Sequence, residues 1–237
     1  MPRDFHCVRR YTGAQPAAAA GRIAGDLPTI ASMSDYARTE RALLAGLLRE
    51  VGPDAPTLCA GWTTRDLAAH LVVRERRPDA MVGALVPPLA GHTEHVRQAA
   101  AARQYADVVH DVRNPPWWSP VSNPLTDELA NALEFFIHHE DVRRARPGWE
   151  PRTLDRGQQD AIWRAVRFTA RLTLRRLRRP VRVQAPGFGE FQVGDGTPVT
   201  VLTGAPGELA LFLAGRQQVA RVEVTGDESI RTARLSM

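Results

Sequence analysis

Glu134 and His138 stand four residues apart in the run Glu134-Phe-Phe-Ile-His-His-Glu-Asp141. A helix advances about 100° per residue, so such a pair lies one turn apart and about 40° around the axis. Carboxylate and imidazole can then converge on one cation. Leu129, Leu133 and Ile137 fall beside them on the same wheel, which turns the pair toward a buried stripe, whereas His139 falls roughly opposite and is expected to face solvent. Asp141 lies close to Glu134 on the wheel, where it can orient a ligand from behind. His70, one turn after Asp66 and next to Leu71, supplies a third donor from a separate segment. Two imidazoles and one carboxylate suit Zn²⁺, with Ni²⁺, Fe²⁺ or Co²⁺ as other borderline ions, and three protein ligands leave a position open for water or substrate. A satisfied core histidine and a surface Glu/His link also account for these residues, and spacing alone does not choose. His92, His95 and His110 sit among Glu94, Arg97 and Arg103, which reads as a solvated face. Cys59, ahead of Gly61-Trp62, is expected to be a buried structural thiol outside the site.

The elements that must carry these residues are mostly helical. Leu43, Leu44, Leu47 and Leu48 recur at helical spacing between Ser34, a candidate cap, and Glu50, with Gly52-Pro53 as a stop. Thr63 and Asp66 form an acidic variant of the capping box that opens a second helix through His70 and Val73, ending near Pro78. A third helix is predicted from Thr93 to about Val112 and a fourth, bearing Glu134 and His138, from Thr126 to Arg146. Between them the proline-rich stretch Asn114–Pro124 reads as an ordered loop, with Trp117 and Trp118 expected to pin it to the bundle. A long basic helix follows from about Asp155 to Arg178.

After Pro180 the texture changes to short β-branched runs separated by Gly and Pro: Val181–Ala185, Glu190–Val193, Pro198–Leu202 and Val222–Thr225, with a short helix at Glu208–Ala214. The expected organisation is a tail, disordered or extraneous, over residues 1–32, a helical bundle over 33–179, and a small α+β domain over 180–237. Met33 is a candidate translation start.

Composition narrows the function classes. At 237 residues, 43% hydrophobic and 24% charged, the chain has the make-up of a folded globular protein and no run of about 20 apolar residues that would span a bilayer. The net charge is +5, yet all 31 basic residues are arginine, a bias that goes with coding preference and the abundant Ala, Gly and Pro. Nucleic acid is therefore not indicated as a partner, despite the diffuse arginine stripe from Arg164 to Arg179. Two cysteines, Cys7 and Cys59, make no disulfide framework, which places the chain by default in the cytoplasm.

Leu58-Cys-Ala-Gly-Trp-Thr-Thr-Arg-Asp-Leu-Ala-Ala-His-Leu71, taken with Glu134-x-x-x-His138-x-x-Asp141, resembles the paired signature of the mycothiol-dependent maleylpyruvate isomerase-like proteins, within the wider DinB-like metal-binding superfamily. Val72–Ala80 and Phe135–Arg144 are similar to an actinobacterial branch of metal-binding proteins, and the likeness runs from Met33 to the C-terminus. It implies a mainly α fold, a DinB-like four-helix bundle followed by a small α+β sterol-carrier-like domain. It implies His70, Glu134 and His138 as ligands of a divalent ion, and Arg216, in the run Gly207–Arg216, as an arginine assisting catalysis. A surface arginine at a helix end is the plainer account of Arg216.

The resemblance further implies an isomerase or S-transferase that activates mycothiol, a small thiol cosubstrate, against a small electrophile. A metal-dependent hydrolase on the same scaffold, and a non-catalytic metal- or ligand-binding protein, are the alternatives.

Overall fold

The computed structural model describes residues 30–80, 88, 90–119 and 128–235. Six helices come first: α1 (Ile30–Val51), α2 (Thr64–Arg76), α3 (Ala90–Ala101), α4 (Tyr105–Arg113), α5 (Glu128–Arg144) and α6 (Arg156–Leu174). Strands β1 (Val181–Ala185), β2 (Gly189–Val193) and β3 (Thr200–Thr203), helix α7 (Pro206–Leu213) and strand β4 (Glu223–Gly226) complete the chain, with a closing 3₁₀ turn at Glu228–Arg231. Among the described residues no helix is long and apolar enough to cross a membrane.

The four strands form one mixed sheet in the order β2-β1-β3-β4. β1 pairs antiparallel with β2 and parallel with β3, Val181 opposite Thr200, and β3 pairs antiparallel with β4. Strict alternation along β1 buries Val181, Val183 and Ala185 on one face, as the period of two in a strand requires.

α5 lies at the centre. Phe135 packs with Leu44 and Leu48 of α1, Leu67 and Leu71 of α2, and Val108 and Val112 of α4. Phe136, the next residue, turns to a second core shared with Ile162 and Val166 of α6, Val181 and Leu202 of the sheet, and Leu209 and Phe212 of α7. At Gly207 a side chain would meet the Phe136 ring at 2.9 Å. Its absence lets α7 begin against α5.

Several expectations about the elements are corrected. The expected tail lies outside the described residues except for Ile30–Ser32, which α1 takes in, so Ser34 sits in the second turn of α1 rather than at its cap. The third helix divides into α3 and α4, because the Arg65 guanidinium donates to the carbonyls of Ala101 and Arg103 at 3.1 and 3.3 Å and so satisfies the end of α3. Trp117 is 93% exposed and pins nothing, and Trp118 is half exposed. His139 is buried, its Nδ1 3.0 Å from Glu40 Oε2, because α1 covers the side of α5 that the wheel left open.

Candidate functional site

α2 brings His70 into place through its own start. The backbone N–H and the hydroxyl of Thr63 both donate to Asp66 Oδ2 at 3.0 Å, closing the first turn. The other Asp66 oxygen accepts from Arg97 of α3 at 2.7 Å, and the Arg97 guanidinium lies 5.0 Å from the Trp62 ring centroid. Trp62 in turn covers the His70 imidazole, with centroids 5.3 Å apart. Capping box, arginine and tryptophan therefore hold the His70 ring against α5.

His70 Nε2 lies 3.3 Å from Glu134 Oε1, and His138 Nε2 lies 3.2 Å from the same oxygen. Tetrahedral coordination at ligand distances near 2.1 Å sets donor atoms about 3.4 Å from one another. Both distances to Glu134 match that spacing, and the three donor atoms all lie within 4.8 Å of one another, so the group could hold a divalent ion. His70, Glu134 and His138 keep side-chain exposures of 30, 28 and 10%, so the cluster is open on one side.

Behind His138 the ring is fixed. Its Nδ1 donates to Asp141 Oδ2 at 2.9 Å, so that once the ring loses a proton to an incoming ion the lone pair lies on Nε2, the atom that faces Glu134. Asp141 is fully buried and is held ionised: burial opposes its charge, but the bonds to His138 and Arg216 outweigh that and bring its pKa down to about 2. Glu134 is likewise held well below the usual carboxylate range; burial works against it, and the His138 charge and the contacts to both imidazoles prevail. The charge of Glu134 carries His138 well above the ordinary histidine value in spite of burial, whereas burial pushes His70 down.

Arg216 reaches this cluster from the C-terminal end of α7. The N–H groups of Gly215 and Arg216 return to the carbonyls of Phe212 and Leu211 at 3.2 and 2.9 Å, the Schellman closure of a helix, with Gly215 at φ 90°. That turn sends the Arg216 side chain back to α5, where Nε and Nη2 bond the two oxygens of Asp141 at 2.8 and 2.6 Å. The plainer account of Arg216 as a solvated helix-end residue does not hold, since its side chain is 18% exposed.

Cys59 is the residue that sequence reasoning left out. The backbone N–H of Leu58 donates to the Asp141 carbonyl at 3.1 Å, and this sets Cys59 Sγ 3.3 Å from Asp141 Oδ2 and 3.4 Å from Arg216 Nη2. Its position next to the Gly61-Trp62 turn that leads to His70 was the available signal. Cys59, His138 and Asp141 form a second group of donors able to hold an ion. Arg216 already occupies the charge of that group, so a cation there would have to displace a guanidinium making two short bonds. The His70/Glu134/His138 group is the better site.

The cluster opens on a cavity of about 320 Å³ walled by Leu133, Ile137, Ala210 and Leu213, with Thr169 and Thr173 on α6 and the guanidinium residues Arg74 and Arg216 at its edge. His92, His95 and His110 are exposed and lie outside it.

Fold and cluster together define a mainly helical scaffold, closed by a small mixed sheet, with a two-histidine, one-carboxylate centre at the face of α5. No family model and no curated protein sequence matches the chain. Among solved structures, the crystal structure of the mycothiol-dependent maleylpyruvate isomerase is similar in fold, with a TM-score of 0.51 at 16% identity over 85% of this chain and 95% of that one.

Proposed function

We propose that the chain binds a divalent ion through His70, Glu134 and His138 and uses it to activate a low-molecular-weight thiol, of the mycothiol class, for addition to or transfer onto a small electrophile. The observation that carries this reading is the convergence of two imidazole Nε2 atoms on one Glu134 oxygen, at 3.3 and 3.2 Å. The fold shared with a mycothiol-dependent isomerase supports the choice of thiol chemistry. Zn²⁺ suits the donor set best. When bound, such an ion lowers the pKa of a coordinated thiol, so that thiolate, the nucleophile, forms at neutral pH.

The chain's own residues have distinct tasks. Asp141 fixes the His138 tautomer, and Arg216 keeps Asp141 charged and in place, which makes Arg216 a positioning residue for the donor set. Leu133, Ile137 and Leu213 keep water from the carbon skeleton of a bound electrophile. Thr169 and Thr173 supply hydroxyls at the cavity wall.

The test is thiol-dependent turnover of purified protein against a panel of conjugated and alkylating electrophiles, with and without added Zn²⁺. Turnover that needs both ion and thiol supports the reading. Turnover with ion and no thiol moves the protein to the metal-dependent hydrolases, and a stoichiometric ion without turnover makes it a metal- or ligand-binding protein.

A further inference from the structure

Two guanidinium residues border the cavity, and their bonding differs. All three Arg216 nitrogens are engaged, Nε and Nη2 with Asp141 and Nη1 with the Ala214 carbonyl. Arg74 stands on α2 four residues after His70, one helical turn along the same face. Its side chain is only 11% exposed. Nη1 is buried and has no hydrogen-bond partner among the described residues. The carboxylate nearest to it, Glu134, lies 3.6 Å from Arg74 Nε, beyond a good hydrogen bond, and that Glu134 oxygen already receives both imidazoles.

Arg74 therefore lacks the close carboxylate partner that saturates Arg216. The planar fork of arginine matches a carboxylate in geometry and charge. The cavity wall also has aliphatic parts, through Leu133, Ile137 and Leu213, which offer a short carbon skeleton apolar contact.

We infer that Arg74, rather than Arg216, is the residue that binds the carboxylate of a small organic acid in this cavity and so selects anionic over neutral electrophiles. This rests on the reading of the cavity as the place of reaction. Arg216 orients the donor set from behind, and Arg74 orients the substrate from the front. A carboxylate at Arg74 offsets the charge of the guanidinium beside the ion site. It also turns the far end of a short acid toward Glu134 and His138.

The experiment measures binding of succinate and of dimethyl succinate by calorimetry to Zn²⁺-treated wild type, Arg74→Met and Arg74→Lys, with the ion content of each determined by elemental analysis. A hydrogen bond to a charged group contributes about 1.5–3 kcal/mol, so Arg74→Met is expected to weaken succinate binding by about tenfold or more and to leave the diester unchanged. Arg74→Lys keeps the charge and loses the fork, and is expected to bind succinate several-fold more weakly than wild type; it serves if the methionine variant does not fold. Equal weakening of acid and diester, succinate affinity in either variant matching wild type, or no succinate binding by wild type overturns the proposal. The ion content of the wild type reports separately on the functional reading: a protein without stoichiometric ion fails that reading while the succinate comparison still stands.

Discussion

α5 buries charge on both of its faces, and the two faces treat it in opposite ways. On one face Glu140, 1% exposed, accepts from Arg144 at 2.6 Å, Arg152 at 2.7 Å and Arg143 at 2.9 Å, and Arg144 continues to Glu208 of α7. Glu40 joins the same network through Arg152 and His139. Each of these carboxylates is neutralised by arginine, so the network holds α1, α5 and α7 together and has no charge to offer a ligand. On the other face Glu134 receives two imidazoles and stands 3.6 Å from its nearest guanidinium nitrogen. The neighbouring histidines show the contrast at its sharpest, His139 held by Glu40 and His138 aimed at Glu134. What separates the two acids is the identity of the groups already bonded to each, arginines at Glu140 and imidazoles at Glu134, together with the 28% exposure that Glu134 keeps.

The contrast breaks most visibly in stability. Leaving one partner of a buried ion pair uncompensated costs about 3–5 kcal/mol, so Glu140→Gln and Arg144→Ala are expected to lose that much in urea unfolding of the metal-free protein. Glu134→Gln is expected to lose about 1 kcal/mol or less, since His138 can release its proton. Comparable losses for Glu134→Gln and Glu140→Gln would erase the distinction.

Ion binding is the converse measurement. His70→Ala and His138→Ala are expected to weaken Zn²⁺ binding at least about a hundredfold, while His139→Ala retains it. Asp141→Asn, which disturbs only the group orienting His138, falls in the range of about 10- to 100-fold.

The carboxylates of both faces answer acid alike, and the face of Glu134 adds an opposite response from His138. Burial raises Glu40 and Glu140, but their hydrogen bonds to His139 and the arginines outweigh it and hold both below the ordinary glutamate value of 4.5. Their contribution is complete above that value and is lost as pH falls below it, so the melting temperature of the metal-free protein should drop on acidification from pH 5 toward 3, as followed by circular dichroism. His138 is raised, so its proton stabilises the metal-free fold below the ordinary value of 6.5 and that contribution fades as pH rises through the raised value. An ion must displace this proton, and Zn²⁺ affinity is expected to fall as pH is lowered. Smallest of all, Trp117→Ala should change stability by no more than about 0.5 kcal/mol, because the ring is 93% exposed.

The local signals in the sequence carried far. Periodicity and the Thr63/Asp66 box placed α2 and α5, and with them the juxtaposition of Glu134 and His138, because these depend on one helix at a time. The β-branched runs after Pro180 located the strands for the same reason. What failed depended on contacts between elements. The wheel turned His139 to solvent, since it holds no record of α1 lying along that side with Glu40. The break between α3 and α4 follows from Arg65 of another helix, and Cys59 meets Asp141 through a backbone bond joining segments 83 residues apart in the chain, Leu58 and Asp141.

Because consecutive α5 residues serve opposite sides, Phe135 and Phe136 as well as His138 and His139, the spacing along this helix is fixed more tightly than the residues themselves. One inserted amino acid between Glu134 and His138 would rotate everything beyond it by about 100°. Donor set, arginine lattice and both cores would lose their registration together. Variation in this segment can therefore proceed by substitution but not by insertion or deletion, and natural or engineered variants of the scaffold should keep the interval from Leu133 to Arg144 constant even where few side chains are shared.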